Sequence, residues 1–387
     1  MGTTAQLPLL DGQSSNRPVA QPLLLLAEQP ARGASFLEVP VKAILNGPAS
    51  TGMGFWSLNP YVGCEFGCTY CYARETHKWR METIRRLDGL AVGRLGGLAA
   101  EATAAVVAPS SADNPTALPP NRPTALPPWE AFEKQIMVKT SAAAVLQRTL
   151  FPAKLAGCAL VIGTATDPYQ PAERQFQLTR SILEALLSWR GLTLGIITKS
   201  PLILRDVDLL RQLAERHELS VNISLASTDA ALLREVEARS PAPHTRLRAL
   251  KGLTDAGIHA GLLIAPILPG ITDSTESLAA LMAAGKAAGA RYVHGSALRL
   301  GPAARSRFLP HLAHAFPGLV ERYRQRYGAG ASVGREYTDA LSRRLQRLQQ
   351  EYGFPVHESR KQRARLEGRM PGRETSDEAA AQGTLSL

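Results

Sequence analysis

Three cysteines within one short stretch, Cys64-Glu65-Phe66-Gly67-Cys68-Thr69-Tyr70-Cys71, constrain this chain more than any other feature. The spacing is C-x3-C-x2-C in a loop that contains a glycine, and three thiolates so placed can cap three irons of a cubane iron–sulfur cluster. The loop offers no fourth thiol, so one iron would stay open to a ligand from outside. A competing reading adds His77 and makes a zinc site, since zinc accepts three thiolates and one imidazole in a tetrahedron. The chain has only 4 cysteines, too few and too clustered for a disulfide scaffold, which suits metal binding in a reducing compartment.

At 387 residues and 45% hydrophobic content the chain can bury a full-sized core, and one large α/β domain with appendages accounts for the length. No apolar run approaches the length of a membrane span. The first apolar stretch, 22–27, is too short and lacks the basic flank of a secretory signal, so the expectation is a cytoplasmic protein with no membrane segment. A net charge of +11 favours a polyanionic partner such as nucleic acid. Much of that excess lies late in the chain, in segments that also read as solvated helix faces.

In chain order, residues 1–35 lack sustained periodicity and read as a disordered arm. Residues 36–302 form the core. Within it, 93–128 is an Ala/Pro-rich insertion carrying a duplicated Pro-Thr-Ala-Leu-Pro-Pro, at 115–120 and 123–128. Strand-like runs at 55–59, 158–163, 192–197, 219–224, 259–264 and 292–296 alternate with amphipathic helical patterns. Near-continuous apolar strands separated by such helices predict a parallel sheet covered by helices, in about six βα units. Residues 303–368 read as an Arg-rich helical extension packing across the barrel edge, and 369–387 as a disordered tail.

With Asn59-Pro60-Tyr61 before it and Tyr72-Ala73-Arg74 after it, the cysteine loop resembles the signature of radical S-adenosylmethionine (radical SAM) enzymes, in the branch grouped with the spore photoproduct lyases. The resemblance spans roughly 36–352, the insertion excepted. It implies an α/β fold, the partial (β/α)6 TIM-type barrel of that superfamily, here with a C-terminal helical extension. It also implies a [4Fe–4S] cluster on Cys64, Cys68 and Cys71, with S-adenosylmethionine on the fourth iron and reduced flavodoxin or ferredoxin as electron donor. Tyr70, directly before the third cysteine, takes the place of the residue lying along the adenine. Thr164 and Asp167 fall in the loop that holds the methionyl amine. Among polar groups at strand ends, Lys199 could pair with the methionyl carboxylate or a substrate anion. Ser224, with Asn222 on the same strand, could bind the ribose or carboxylate; each could equally be a rim residue. The segment 264–270 matches the fifth-strand stretch whose backbone meets the adenine.

Photoproduct lyases, by the same resemblance, present a further cysteine at the active-site end of the second strand. Here that end reads Gly163-Thr164-Ala165-Thr166-Asp167, and Cys158 lies at the opposite end of the run, where a buried small hydrophobe is the ordinary role. This departure counts against a DNA-repair lyase, which stays as the alternative beside a non-catalytic zinc or nucleic-acid-binding module. No phosphate-cradling lysine loop or dinucleotide fingerprint occurs in its proper context.

Overall fold

The computed structural model describes residues 25–29, 33–75, 128–155 and 157–356. Its strands are β1 (Leu25–Gln29), β2 (Ala34–Glu38), β3 (Leu45–Asn46), β4 (Trp56–Leu58), β5 (Tyr61–Val62), β6 (Gln135–Val138), β7 (Leu160–Ile162), β8 (Thr193–Thr198), β9 (Glu218–Ser224), β10 (Ala260–Ile267) and β11 (Val293–Ala297).

The six apolar runs of the sequence become β4, β7, β8, β9, β10 and β11. They pair in parallel in that order, each beside its predecessor. A two-residue antiparallel strand, β3, closes the β4 side, so the seven-stranded sheet stays open with β3 and β11 at its edges. This is the helix-covered parallel α/β sheet expected from the periodicity, in keeping with the partial barrel that the resemblance implies. One face is covered by helices: Val221, Ile223, Leu262 and Ile264 are fully buried, and Leu262 packs beneath the helix Thr275–Ala287 at Gly285. The intervening Asn222 and Leu263 face the concave side and are only half-buried.

Helix boundaries follow local chemistry. Asp229 accepts hydrogen bonds from the Ala231 and Leu232 N–H groups, at 2.8 and 3.0 Å, and starts Ala230–Val236. Ser274 does the same for Thr275–Ala287 through the Ser277 N–H, at 3.0 Å. Pro243 and Pro302 occupy first turns, where the missing N–H costs nothing. The helical pattern after β7 is broken at Gln177, whose φ of 51° separates Glu173–Phe176 from Leu178–Leu186.

A second sheet was not anticipated. Its order is β1-β2-β6-β5, with β2 parallel to β6 and the other pairs antiparallel. Among the described residues the first regular element starts at Leu25, inside the stretch read as a disordered arm. The cysteine loop leaves β5 of this sheet rather than β4 of the main one. Residues 76–127, which hold most of the insertion, and residues 357–387, which hold the end of the expected helical extension and the expected tail, lie outside the described residues.

The C-terminal extension comprises Pro302–Ala315, Val320–Tyr327 and Arg335–Glu351. The last of these covers the β11 edge, with Leu345 against Gly295 and the Gln349 amide donating to the Val293 carbonyl at 2.7 Å. Among the described residues no helix is long and apolar enough to cross a membrane.

Candidate cluster and cofactor site

The cysteine loop is held by its backbone. Cys64 N–H donates to the Phe132 carbonyl at 2.9 Å, and Thr69 N–H to that of Val236 at 3.0 Å. Gln170 clamps the start of the loop, accepting from Glu65 N–H at 3.0 Å and donating to the Gly63 carbonyl at 3.1 Å. Beneath it, buried Arg74 donates to the Cys68 carbonyl at 3.1 Å and pairs with Glu133 at 2.5 Å. Arg239 joins the same carboxylate at 2.6 Å and donates to the Glu65 carbonyl, also at 2.6 Å. Burial alone would raise the Glu133 pKa, but the two guanidiniums hold it below the ordinary carboxylate value.

Cys64 and Cys68 are buried and Cys71 is half-buried. Burial pushes the Cys64 thiol well up, with Asp167 adding to it, and pushes Cys68 up to about 11 despite nearby Lys199. Without a bound cation both are therefore neutral thiols at physiological pH. Among the described residues no group of three or more His, Cys, Asp or Glu side chains is disposed to hold a metal ion. A cubane does not need convergence on one ion, because each cysteine binds its own iron. His77, the fourth ligand of the zinc reading, lies outside the described residues.

Beside Cys68 the loop meets the barrel wall through a buried ionic network. The Tyr70 phenol donates to Glu237. Lys199 Nζ lies 3.0 Å from both the Tyr70 hydroxyl and Glu237 Oε1, and 5.3 Å from the Tyr70 ring centroid. Glu237 Oε2 pairs with Arg246, whose other donors are taken by the Ser224 and Pro241 carbonyls at 3.0 and 2.7 Å. Burial alone would raise the Glu237 pKa, yet Arg246 and Lys199 reverse this and hold it at about 2. The same carboxylate, after burial, pushes the Tyr70 phenol up. Tyr70 and Lys199, both read as cofactor contacts, thus touch each other.

Asp167 uses both carboxylate oxygens on the chain. Oδ1 accepts from Tyr169 N–H at 2.9 Å and the Thr198 hydroxyl at 2.6 Å, and Oδ2 from Lys199 N–H at 2.7 Å. This fixes the loop after β7 to the end of β8. Burial still leaves the Asp167 pKa raised, although those bonds pull it down. Thr164 is bound through its hydroxyl to Ser57, at 2.5 Å, and Asn59, at 3.3 Å, while its carbonyl accepts from Tyr72.

Ser224 donates to the Ala265 carbonyl at 3.1 Å, which ties β9 to β10. Asn222, level with Ile197 on β8 and Gly261 on β10, is half-buried and has no side-chain hydrogen bond among the described residues. Ala165, Ile197, Leu263, Ala265 and His294 are likewise half-buried, so the concave face remains partly solvent-accessible. Cys158 precedes β7, at the end of that strand away from Thr164 and Asp167.

Sequence reasoning missed Glu237, Arg246, Glu133 and Arg239, which hold the site together. The only signal was a charged break between two helices, Glu237-Ala238-Arg239, which looks like a solvated turn. It also missed Glu75, whose Oε1 accepts from the Ala303 and Ala304 N–H groups, at 2.5 and 3.0 Å, at the start of Pro302–Ala315. Glu75→Ala should cost about 1 kcal/mol, because Gly301 has no side chain to replace the cap. A urea titration would show a lower midpoint with an unchanged slope.

No protein-family model matches the chain. The uncharacterized protein Rv2578c of Mycobacterium tuberculosis is 33% identical over 322 residues, covering 83% of this chain and 82% of its own. The uncharacterized protein MJ0683 of Methanocaldococcus jannaschii is 26% identical over 216 residues, covering 56% of this chain and 61% of its own. Among solved structures, a spore photoproduct lyase double mutant with bound AdoMet and a dinucleoside spore photoproduct superimposes with a TM-score of 0.53 at 15% identity, covering 83% of this chain and 80% of that one. A single mutant with the dinucleoside photoproduct gives 0.54 at 14% identity, covering 88% and 86%. The chain therefore belongs to the family of the mycobacterial protein Rv2578c and has the spore photoproduct lyase-like fold.

Proposed function

We propose that the protein is a radical SAM enzyme with a [4Fe–4S] cluster on Cys64, Cys68 and Cys71. The observation that carries the reading is the placement of the thiols. They sit on one backbone-clamped loop whose Tyr70 touches Lys199, at the end of β8, next to a concave face that remains partly open. Three soft donors in a loop screened from water fit a cluster better than a hard cation. When bound, the cluster would supply one electron, from reduced flavodoxin or ferredoxin, for reductive cleavage of S-adenosylmethionine to a 5′-deoxyadenosyl radical.

The chain's own residues hold and orient the cofactor. Lys199, already oriented by Glu237, offers a cation to the methionyl carboxylate. The carbonyls of the loop from Thr164 to Asp167 accept from the methionyl amine, with Asp167 fixing that loop. Tyr70 borders the adenine, and Asn222 presents a free amide to the ribose, with Ser224 beside it. The setting is cytoplasmic.

Cleavage of pyrimidine lesions is the second reading, because the solved structures of this fold hold a dinucleoside photoproduct. The β7 end that faces the site carries no thiol, which disfavours it.

The test is an anaerobic assay of reconstituted, dithionite-reduced protein for 5′-deoxyadenosine. Cysteine-dependent product, absent in Cys68→Ala, is expected. Zinc without iron after anaerobic purification would overturn the reading. So would a verified, reducible cluster that gives no product and no change in its EPR signal on adding S-adenosylmethionine.

A further inference from the structure

The helix Arg335–Glu351 buries Leu341, Leu345 and Leu348 against the barrel edge and turns a different face to solvent. On that face Ala340, Arg343, Arg344 and Arg347 line a cleft of about 300 Å³. From this face we infer a docking site for the phosphate backbone of a nucleic acid, separate from the barrel mouth and independent of the chemistry proposed there.

Charge arrangement carries the inference. What defines this face is three arginines on one cleft. Exposed cations elsewhere include ion-paired ones, Lys251 with Asp255, Arg324 with Glu321 and Arg335 with Asp339, and others such as Arg291 and Arg322 that have no acid partner among the described residues. Arg343 and Arg347 have none among the described residues. Arg344 is half-buried and its guanidinium is pinned to the Asp273 carbonyl. On the same helix Asp339, paired with Arg335, and Glu351 lie four residues from Arg343 and Arg347, respectively, without forming an ion pair with them. Near Arg344 the Asp273 carboxylate is engaged by the Tyr337 hydroxyl at 2.7 Å, and Glu276 lies within electrostatic reach. Like charges three and four residues apart weaken a helix. Three arginines so spaced, one of them fixed in place, therefore make a helix surface that an external anion would relieve.

The chemistry of the face selects the anion. Guanidinium forks match phosphate oxygens two at a time, and Arg343 and Arg347 stand one turn apart, about 6 Å along the axis. A bilayer would need apolar side chains beside the cations to enter the lipid. A protein partner would need an apolar centre to the patch. Here Ser342, Gln346 and Gln350 flank the arginines, and Ala340 leaves room for a strand to approach. A repeating, fully hydrated line of phosphates is the partner such a surface fits.

The experiment is fluorescence anisotropy of a labelled DNA duplex of roughly 20 base pairs with the reconstituted full chain, between about 50 and 200 mM salt. The logarithm of the wild-type affinity should fall linearly with that of salt. Arg343→Gln/Arg347→Gln should flatten the slope by about 1.8, since each phosphate contact contributes about 0.9. Iron content and circular dichroism should match the wild type. An unchanged slope and affinity in this variant would overturn the inference, as would an equal loss in Arg322→Gln/Arg324→Gln. Binding confined to anionic vesicles, with none to the duplex, would overturn it too.

Discussion

Glu237→Gln lowers folding stability by about 3–5 kcal/mol, because it leaves the fully buried Arg246 and the half-buried Lys199 facing a neutral amide. The carboxylate is fully enclosed, so water cannot take its place. Thermal and urea unfolding should both report the loss. Lys199→Met added to Glu237→Gln should recover part of it by removing one stranded charge, which makes the effect electrostatic rather than steric.

The pH dependence follows from the same pair of states. Glu237 has a folded pKa of about 2 against an ordinary 4.5. A group depressed in the folded state gives stability that is complete above its unfolded pKa and is lost as pH falls toward the folded one. The wild type should therefore shed about 3 kcal/mol between roughly pH 5 and 2 from this group alone. Glu237→Gln should lack that part of the acid limb. An identical acid limb in both chains would rule out this ionic role.

Gly163→Ala is the second large effect, at about 3 kcal/mol or more. Gly163 has a φ of 92°, outside the range L side chains readily adopt. An added Cβ would also run into the Ile197 carbonyl and lie 2.6 Å from Pro168 Cδ. Neither neighbour can yield cheaply, since Ile197 pairs with Asn222 inside the sheet and the proline ring is rigid. Gly52→Ala separates the two causes. Its φ is 64° with nothing within 4 Å of the new atom, so it should cost only about 1 kcal/mol of backbone strain. Equal midpoints for the two variants in thermal melts would remove the packing argument. On the function proposed above, in which Thr164 and Asp167 border S-adenosylmethionine, the Gly163 variant should also bind that cofactor more weakly.

Features that rest on local chemistry were legible in the sequence. The strand runs at β7, β8 and β10 are largely apolar, and β9 alternates, because helices cover one face of the parallel sheet while the concave face is only partly enclosed, and that pattern survives translation into letters. The cysteine spacing likewise declares its own donor set. The second sheet declares nothing. β5 has only two residues, and its partner β6 follows the 93–128 insertion, so the pairing of Tyr61 with Val138 has no local signature. The ionic network was hidden for a related reason. A glutamate at a helix end is normally solvated, and only the folded chain shows that Glu237 is enclosed by Tyr70, Lys199 and Arg246. Asp167 illustrates the remaining difficulty, since a residue read as a cofactor contact devotes both oxygens to its own backbone and a neighbouring threonine.

The contacts that shape the cysteine loop come from far along the chain: Gln170 is 105 residues from Glu65, Val236 is 167 from Thr69, and Ala303 is 228 from Glu75. Closing such long intervals is entropically costly and slow, so the loop takes its form after the barrel that surrounds it. During synthesis the three thiols thus leave the ribosome well before the walls that will screen them. For that interval they are open to oxidants, and assembly of the proposed cluster would follow completion of the barrel. Air exposure during biosynthesis should therefore damage this protein more than the same exposure once it is folded.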